Sequence, residues 1–294
     1  MVELNLDFVP HIKKLEDLTK KPWLTSMLVG SYSSVFKGGG IDFEGYSVYT
    51  PEQDSRYIDW KASSKGDKVL VRTFIEERDV KCFFVIDVGS NMFYSSSTKL
   101  KCEFAAEIVN ELVFSVIASS DQAGLYMCSS KKAIHIPPKT GKFQYFRIVT
   151  ELSNGKNYGG ERFLTPALSE LFKSKDKGIL FIVSDFLNAT KDELNMISLL
   201  KQKFEVFVIM VRDKMERYLP KDLNAVCIED LQTGKSIILN IKHVRDEYQQ
   251  EMAENERFLE ETFLHSDVDF AKMYTNASYL DPLIELFEKK KGKW

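Results

Sequence analysis

Two aspartates stand where an α/β chain can do chemistry. Asp87 closes the apolar run Cys82-Phe83-Phe84-Val85-Ile86, and Asp185 follows the run Gly178–Ser184. Runs of this length and composition suit strands buried on both faces, so each acid falls at a strand's carboxyl end. In an open α/β sheet that is the edge where loops converge and helix amino termini face a ligand. If the two strands are neighbours, the carboxylates line one crevice. Two carboxylates joined by hydroxyl or amide oxygens suit a hard cation such as Mg²⁺. Thr165, before Pro166 at a helix start, is the residue placed to join them. Thr-Pro is equally an ordinary N-cap and first helical residue, and Asp185 equally closes a turn.

Other catalytic machinery is missing from the sequence. It contains no GxxxxGK[ST] phosphate loop, no GxSxG elbow and no HExxH helix. His11, His135, His243 and His265 are isolated from one another and from cysteine, without zinc-ligand spacing. An enzymatic reading is a metal-dependent phosphoester hydrolase holding its ion with Asp87 and Asp185. It lacks a general base, because no histidine lies near either acid in sequence.

The elements that must position these acids follow from rhythm. From Lys81 onward strand and helix alternate: strands at 82–88, 123–128, 133–136, 178–186, 205–211 and 268–274, with helices over 98–118, 143–152, 165–172 and 192–202. This predicts a mostly parallel sheet flanked by helices, with a hairpin over 225–239 and a long amphipathic helix over 241–264. In the helix 98–118, Leu100, Phe104, Ile108, Leu112 and Val116 form one apolar stripe, and Ala105, Val109, Val113 and Ile117 form another. So wide a face requires deep cover. Residues 153–162, SNGKNYGGER, are a polar loop. Residues 1–80 are irregular, with short alternating stretches such as Lys68–Phe74, and make a smaller β-rich region before the α/β domain of 81–294.

Composition bounds the partners. The 40 basic and 43 acidic side chains leave a net charge of −3, which disfavours nucleic acid and anionic membranes. No apolar run approaches the roughly 20 residues that cross a bilayer, and the opening MVELNLDFVP lacks a secretory pattern. Cys82, Cys102, Cys128 and Cys227 form no CxxC pair and suggest reduced thiols. Together these predict a cytoplasmic chain without membrane insertion.

Two sets of residues resemble known families. Asp87-Val88-Gly89-Ser90-Asn91 is similar to the metal-ion-dependent adhesion motif of von Willebrand A domains, with Thr165 and Asp185 where the later threonine and aspartate are expected. The likeness is to a degenerate form. Gly89 replaces the first serine and has no side-chain ligand, and Asn91 replaces the second and offers only an amide oxygen. The run 34–43, Tyr49-Thr50-Pro51 and 54–63, with Arg56, Asp59 and Trp60 at its centre, resembles the signature of the domain of unknown function 58 family. That resemblance implies a von Willebrand A-like (Rossmann-type) fold and a non-enzymatic adaptor that binds a MoxR-type AAA+ ATPase in assembly or chaperone-like remodelling. The sheet edge at Asp87, Ser90, Asn91, Thr165 and Asp185 is then the partner-binding surface. Arg56, Asp59 and Trp60 form an ion pair beside a large apolar body, which suits a buried seam between the N-terminal region and the α/β domain.

Overall fold

The computed structural model describes residues 39–50, 55, 58–64, 66, 68–75, 80–219, 225–229 and 235–291. Arg56, the family-like segment 34–38 and the turn of the hairpin expected over 225–239 lie outside them. At the amino-terminal side β1 (Gly39–Val48) and β2 (Leu70–Ile75) pair antiparallel around a single helical turn, α1 (Trp60–Ser63). Gly39 and Gly40 therefore belong to a strand.

From Lys81 the alternation is realised. The chain runs through β3 (Lys81–Asp87), α2 (Lys101–Ala118), β4 (Gln122–Cys128), β5 (Ile134–Lys139), α3 (Lys142–Ser153), α4 (Thr165–Lys173) and β6 (Gly178–Ser184). It continues through α5 (Lys191–Leu200), β7 (Phe204–Arg212), α6 (Lys214–Arg217), the antiparallel pair β8 (Ala225–Glu229) and β9 (Ser236–Asn240), α7 (Ile241–His265), β10 (Asp269–Tyr274) and α8 (Leu280–Lys291).

Six strands form the central sheet in the order β10-β7-β6-β3-β4-β5, parallel throughout except for β4 with β5. The chain moves outward from β3 to β4 and β5, then returns to the other side of β3 with β6 and continues to β7 and β10. The order reverses between β3 and β6, which opens a crevice at their carboxyl ends. β5 continues through Pro137 and Pro138, beyond the end expected at Ile136. It is an edge strand bonded only to β4, so the missing proline N–H groups leave no partner unsatisfied.

Strand pleating sorts the core. Phe84 and Ile86 of β3 join one cluster with α2 and α8, while Phe83 and Val85 join another with α4, α5 and α7. All of α2 is buried except Glu107 and Ala118, which matches its double apolar stripe. Tyr279 meets Phe104 of α2, and Phe287 of α8 meets Phe181 and Phe207 of the sheet edge-on. The long helix α7 docks through Leu259 and Phe263, each worth roughly 1.5–3 kcal/mol of burial.

Candidate functional site

The pairing of β3 with β6 brings the two acids together. Ile86 lies opposite Val183, so Asp87 and Asp185 emerge side by side at the point where the strand order reverses, and both are fully buried. Each is held by donors from the chain. Asp87 Oδ1 accepts from Gly89 N at 2.9 Å; its Oδ2 accepts from Ser184 Oγ at 2.8 Å and from Asn91 Nδ2 at 3.0 Å. Asp185 Oδ2 accepts from the same Asn91 Nδ2 at 3.0 Å and from Lys101 Nζ at 2.8 Å, and its Oδ1 accepts from Leu187 N at 3.2 Å. One amide thus bridges both carboxylates.

Buried cations flank the bridge. Lys101, the first residue of α2, has no exposed side-chain surface and also bonds Glu216 Oε1 at 2.5 Å. Arg162 places Nε 3.5 Å from Asp87 Oδ2 and 3.1 Å from Ser184 Oγ, and its Nη1 and Nη2 grip Glu193 bidentately. Arg212 donates to the Asp185 backbone carbonyl at 2.8 Å and to Asn255 at 2.7 Å. The result is a charged chain in which acceptors and donors alternate, Glu193–Arg162–Asp87–Asn91–Asp185–Lys101–Glu216, running across the crevice.

Local structure explains how these groups arrive. Phe186 takes a left-handed conformation with φ of 52°, uncommon for a bulky residue, and buries its ring against Phe263. Asp185, just before that turn, meets Lys101, and the Phe186 ring lies beside the Arg162 guanidinium, whose central carbon is 5.7 Å from the ring centroid. The polar loop after α3 docks on the Asp87 loop: Gly159 N donates to Val88 O, Ser90 N donates to Gly160 O, and Gly160 N donates to Ser90 Oγ. Gly160, at φ of +88°, leaves no room for a Cβ, which would lie 2.8 Å from Lys131 N. Ser90 is thereby used to fasten the loop that delivers Arg162.

Burial and charge set the protonation. Burial, then the Asp185 charge, raise Asp87 above the ordinary carboxylate value despite Arg162 and Asn91. Burial alone would raise Asp185 too, but Lys101 overcomes it and lowers that group. For Lys101 burial opposes the charge, and Asp185 with Glu216 outweigh it and raise the ammonium. Burial pushes the Cys102 thiol up to about 12 and raises Cys128 as well, so neither is a ready nucleophile.

The expected ligand set is only partly assembled. Asp87, Asn91 and Asp185 come together, whereas Thr165 opens α4 with an exposed side chain. Three residues earlier, Arg162 makes the approach assigned to it. Asn91 supplies its amide nitrogen to the acids; its buried Oδ1 meets no donor among the described residues and lies 2.4 Å from where a Cβ on Gly89 would stand. A serine at position 89 would collide with it, so the two departures from the adhesion motif are coupled. The donor set does not fit a divalent ion, because hydrogen-bond donors fill the space between the carboxylates. Among the described residues no group of three or more His, Cys, Asp or Glu is placed to hold a metal. His135 lies opposite Tyr126, stacks on it at 4.2 Å and turns to Glu170 at 3.1 Å, away from the acids.

The signature turn corrects a second expectation. Asp59 caps α1, accepting from Lys61 N at 3.0 Å and Ala62 N at 2.9 Å, with Tyr46 Oη at 3.2 Å. Trp60 is 70 % exposed and is no buried seam anchor. As the first residue of a four-residue helix it projects from the turn that Asp59 caps.

Residues 46–258 match the family model described as Protein of unknown function DUF58. The chain belongs to the DUF58 family. The DUF58 match spans Asp59 and every residue of the charge chain. Uncharacterized proteins of Mycobacterium bovis and Mycobacterium tuberculosis are 23 % identical to it over 221 residues, 74 % of this chain and 69 % of theirs. Among solved structures it is similar to a conserved hypothetical protein BatB from Bacteroides thetaiotaomicron, with TM-score 0.48 and 13 % identity over 72 % of this chain and 99 % of that one. An aerotolerance-related membrane protein from Bacteroides fragilis gives TM-score 0.45 and 12 % identity over 73 % and 100 %. No helix among the described residues is long and apolar enough to cross a membrane.

Proposed function

We propose that this DUF58 chain is a von Willebrand A-like, non-enzymatic adaptor of the cytoplasm that offers the carboxyl edge of its sheet to a MoxR-type AAA+ ATPase. The observation that supports it is the saturation of the switch-point acids. Asp87 and Asp185 accept six hydrogen bonds from named donors of the chain and an ion pair besides. Carboxylates so engaged have little capacity to act as a base or to open coordination positions, as the hydrolase reading requires. They are well suited to fix the loops around them. The surface so fixed includes Phe163, 52 % exposed, beside Thr165 and a cleft of about 350 Å³ lined by Tyr126, His135 and Glu170. An exposed aromatic on a rigid rim is the kind of residue that anchors protein interfaces. The identity of the ATPase rests on the family resemblance.

Capture of the cognate MoxR-type ATPase by the immobilised chain tests this reading. Wild type captures it equally with and without chelator, and a folded Phe163→Ser/Thr165→Lys variant loses capture. Full capture by that variant moves the interface elsewhere, and turnover of a generic phosphoester dependent on Asp87 and Asp185 replaces the adaptor with the hydrolase.

A further inference from the structure

We infer that Lys101 is the resident cation of the switch-point acids, so that its ammonium, backed by Arg162, takes the place a divalent ion would hold and makes this edge metal-independent. Lys101 Nζ lies 2.8 Å from Asp185 Oδ2 and 2.5 Å from Glu216 Oε1, with no exposed side-chain surface. A divalent ion bound to Asp185 Oδ2 at the usual 2.0–2.6 Å, roughly the span for Mg²⁺ and Ca²⁺, would have this ammonium as its neighbour. Two like charges in a dry crevice repel far more than in water.

The remaining groups point the same way. Asn91 Nδ2 is 3.0 Å from one oxygen of each carboxylate, a bridging donor where an ion site needs a bridging acceptor. Its one oxygen is turned to the Gly89 side, into space that only glycine leaves. On the Asp87 flank Ser184 Oγ donates at 2.8 Å and Arg162 Nε stands at 3.5 Å. Lys101, Arg162, Gly89 and Asn91 therefore form one consistent substitution. The oxygens of an ion site have been exchanged for N–H donors contributed by three separate segments. The inference concerns the acids themselves and stands whether or not the edge binds an ATPase.

Mn²⁺ alone is the probe, added to the full chain and followed by melting temperature and by its paramagnetic resonance signal. Wild type is expected to show no Mn²⁺ binding beyond that of Asp87→Asn/Asp185→Asn, and no shift in Tm between Mn²⁺ and chelator. Lys101→Ala removes the ammonium, so Mn²⁺ raises its Tm by mass action, and adding Asp185→Asn abolishes the rise. Stoichiometric, acid-dependent Mn²⁺ binding by wild type overturns the inference, as does a folded Lys101→Ala chain that still ignores Mn²⁺. Should Lys101→Ala not fold, wild type decides. Its Asn91 side-chain amide resonances stay sharp in substoichiometric Mn²⁺ if the inference holds, and broaden selectively if it fails.

Discussion

Asp59 and Asp185 are both buried aspartates followed at once by an aromatic residue, yet their two regions use the pair in opposite ways. Asp59 serves its own next turn, capping α1 through Lys61 and Ala62, and Trp60 is left 70 % exposed. Asp185 serves distant segments, bonding Lys101 and Asn91, and Phe186 is fully buried behind it in a left-handed turn. Layering makes the difference. Among the described residues the β1–β2 pair packs mainly on itself and on the short α1, whereas β6 lies between helices on both faces. The acid in the thin region finds backbone donors in its own next turn. In the thick one it must bring its counter-ion along.

The largest effect is expected at Lys101. Lys101→Met leaves Asp185 and Glu216 buried without their ammonium, and unfolding in urea is expected to show a loss of about 3–5 kcal/mol. An effect below about 1 kcal/mol would mean that the pair is solvated and that the two regions do not differ as described.

The two switch-point acids separate next, by sign. Asp185 is lowered from its ordinary 3.8, so the stability it contributes is present above that value and lost as pH falls through the lowered pKa. Asp87 is raised from 3.8, so its contribution is present below 3.8 and lost as pH rises through the raised pKa. At neutral pH Asp185→Asn is therefore expected to cost more stability than Asp87→Asn, with the gap narrowing on acidification. Thermal melts across the acid range check this; equal costs at every pH would contradict it.

The local region gives the smallest effects. Asp59→Ala removes a cap and is expected to cost about 0.5–2 kcal/mol. Trp60→Ala, on an exposed side chain, stays within roughly 0.5 kcal/mol. A Trp60→Ala loss of about 3 kcal/mol or more would restore the buried anchor that the sequence suggested.

This contrast also marks what was legible in the sequence. The strands at 82–88 and 178–186, the deep cover of the first long helix and the meeting of Asp87 with Asp185 all follow from apolar runs, helical spacing and the rule for sheet edges. What could not be read is set by sequence separation. Lys101 reaches Asp185 across 84 residues and Glu216 across 115, and Arg162 comes from a loop whose composition announces only a turn. A lysine at the head of a predicted helix looks like a solvated residue unless the carboxylates facing it are known. One signal was present. Gly89 and Asn91 depart from the oxygen-ligand pattern together, and a glycine beside an amide already suggests a donor lodged among the acids. Trp60 misled for the converse reason: ring size argues for burial only where a layer exists to cover it.

A double-mutant cycle between Lys101 and Asp185, using Lys101→Met, Asp185→Asn and the combined variant, measures most directly whether the chain's own cation holds the switch-point acids. Unfolding free energies in urea are expected to give a coupling of about 1–3 kcal/mol, with the double variant losing less than the sum of the singles. Additivity within about 0.5 kcal/mol would contradict the account, because the ammonium and the carboxylate would then act independently.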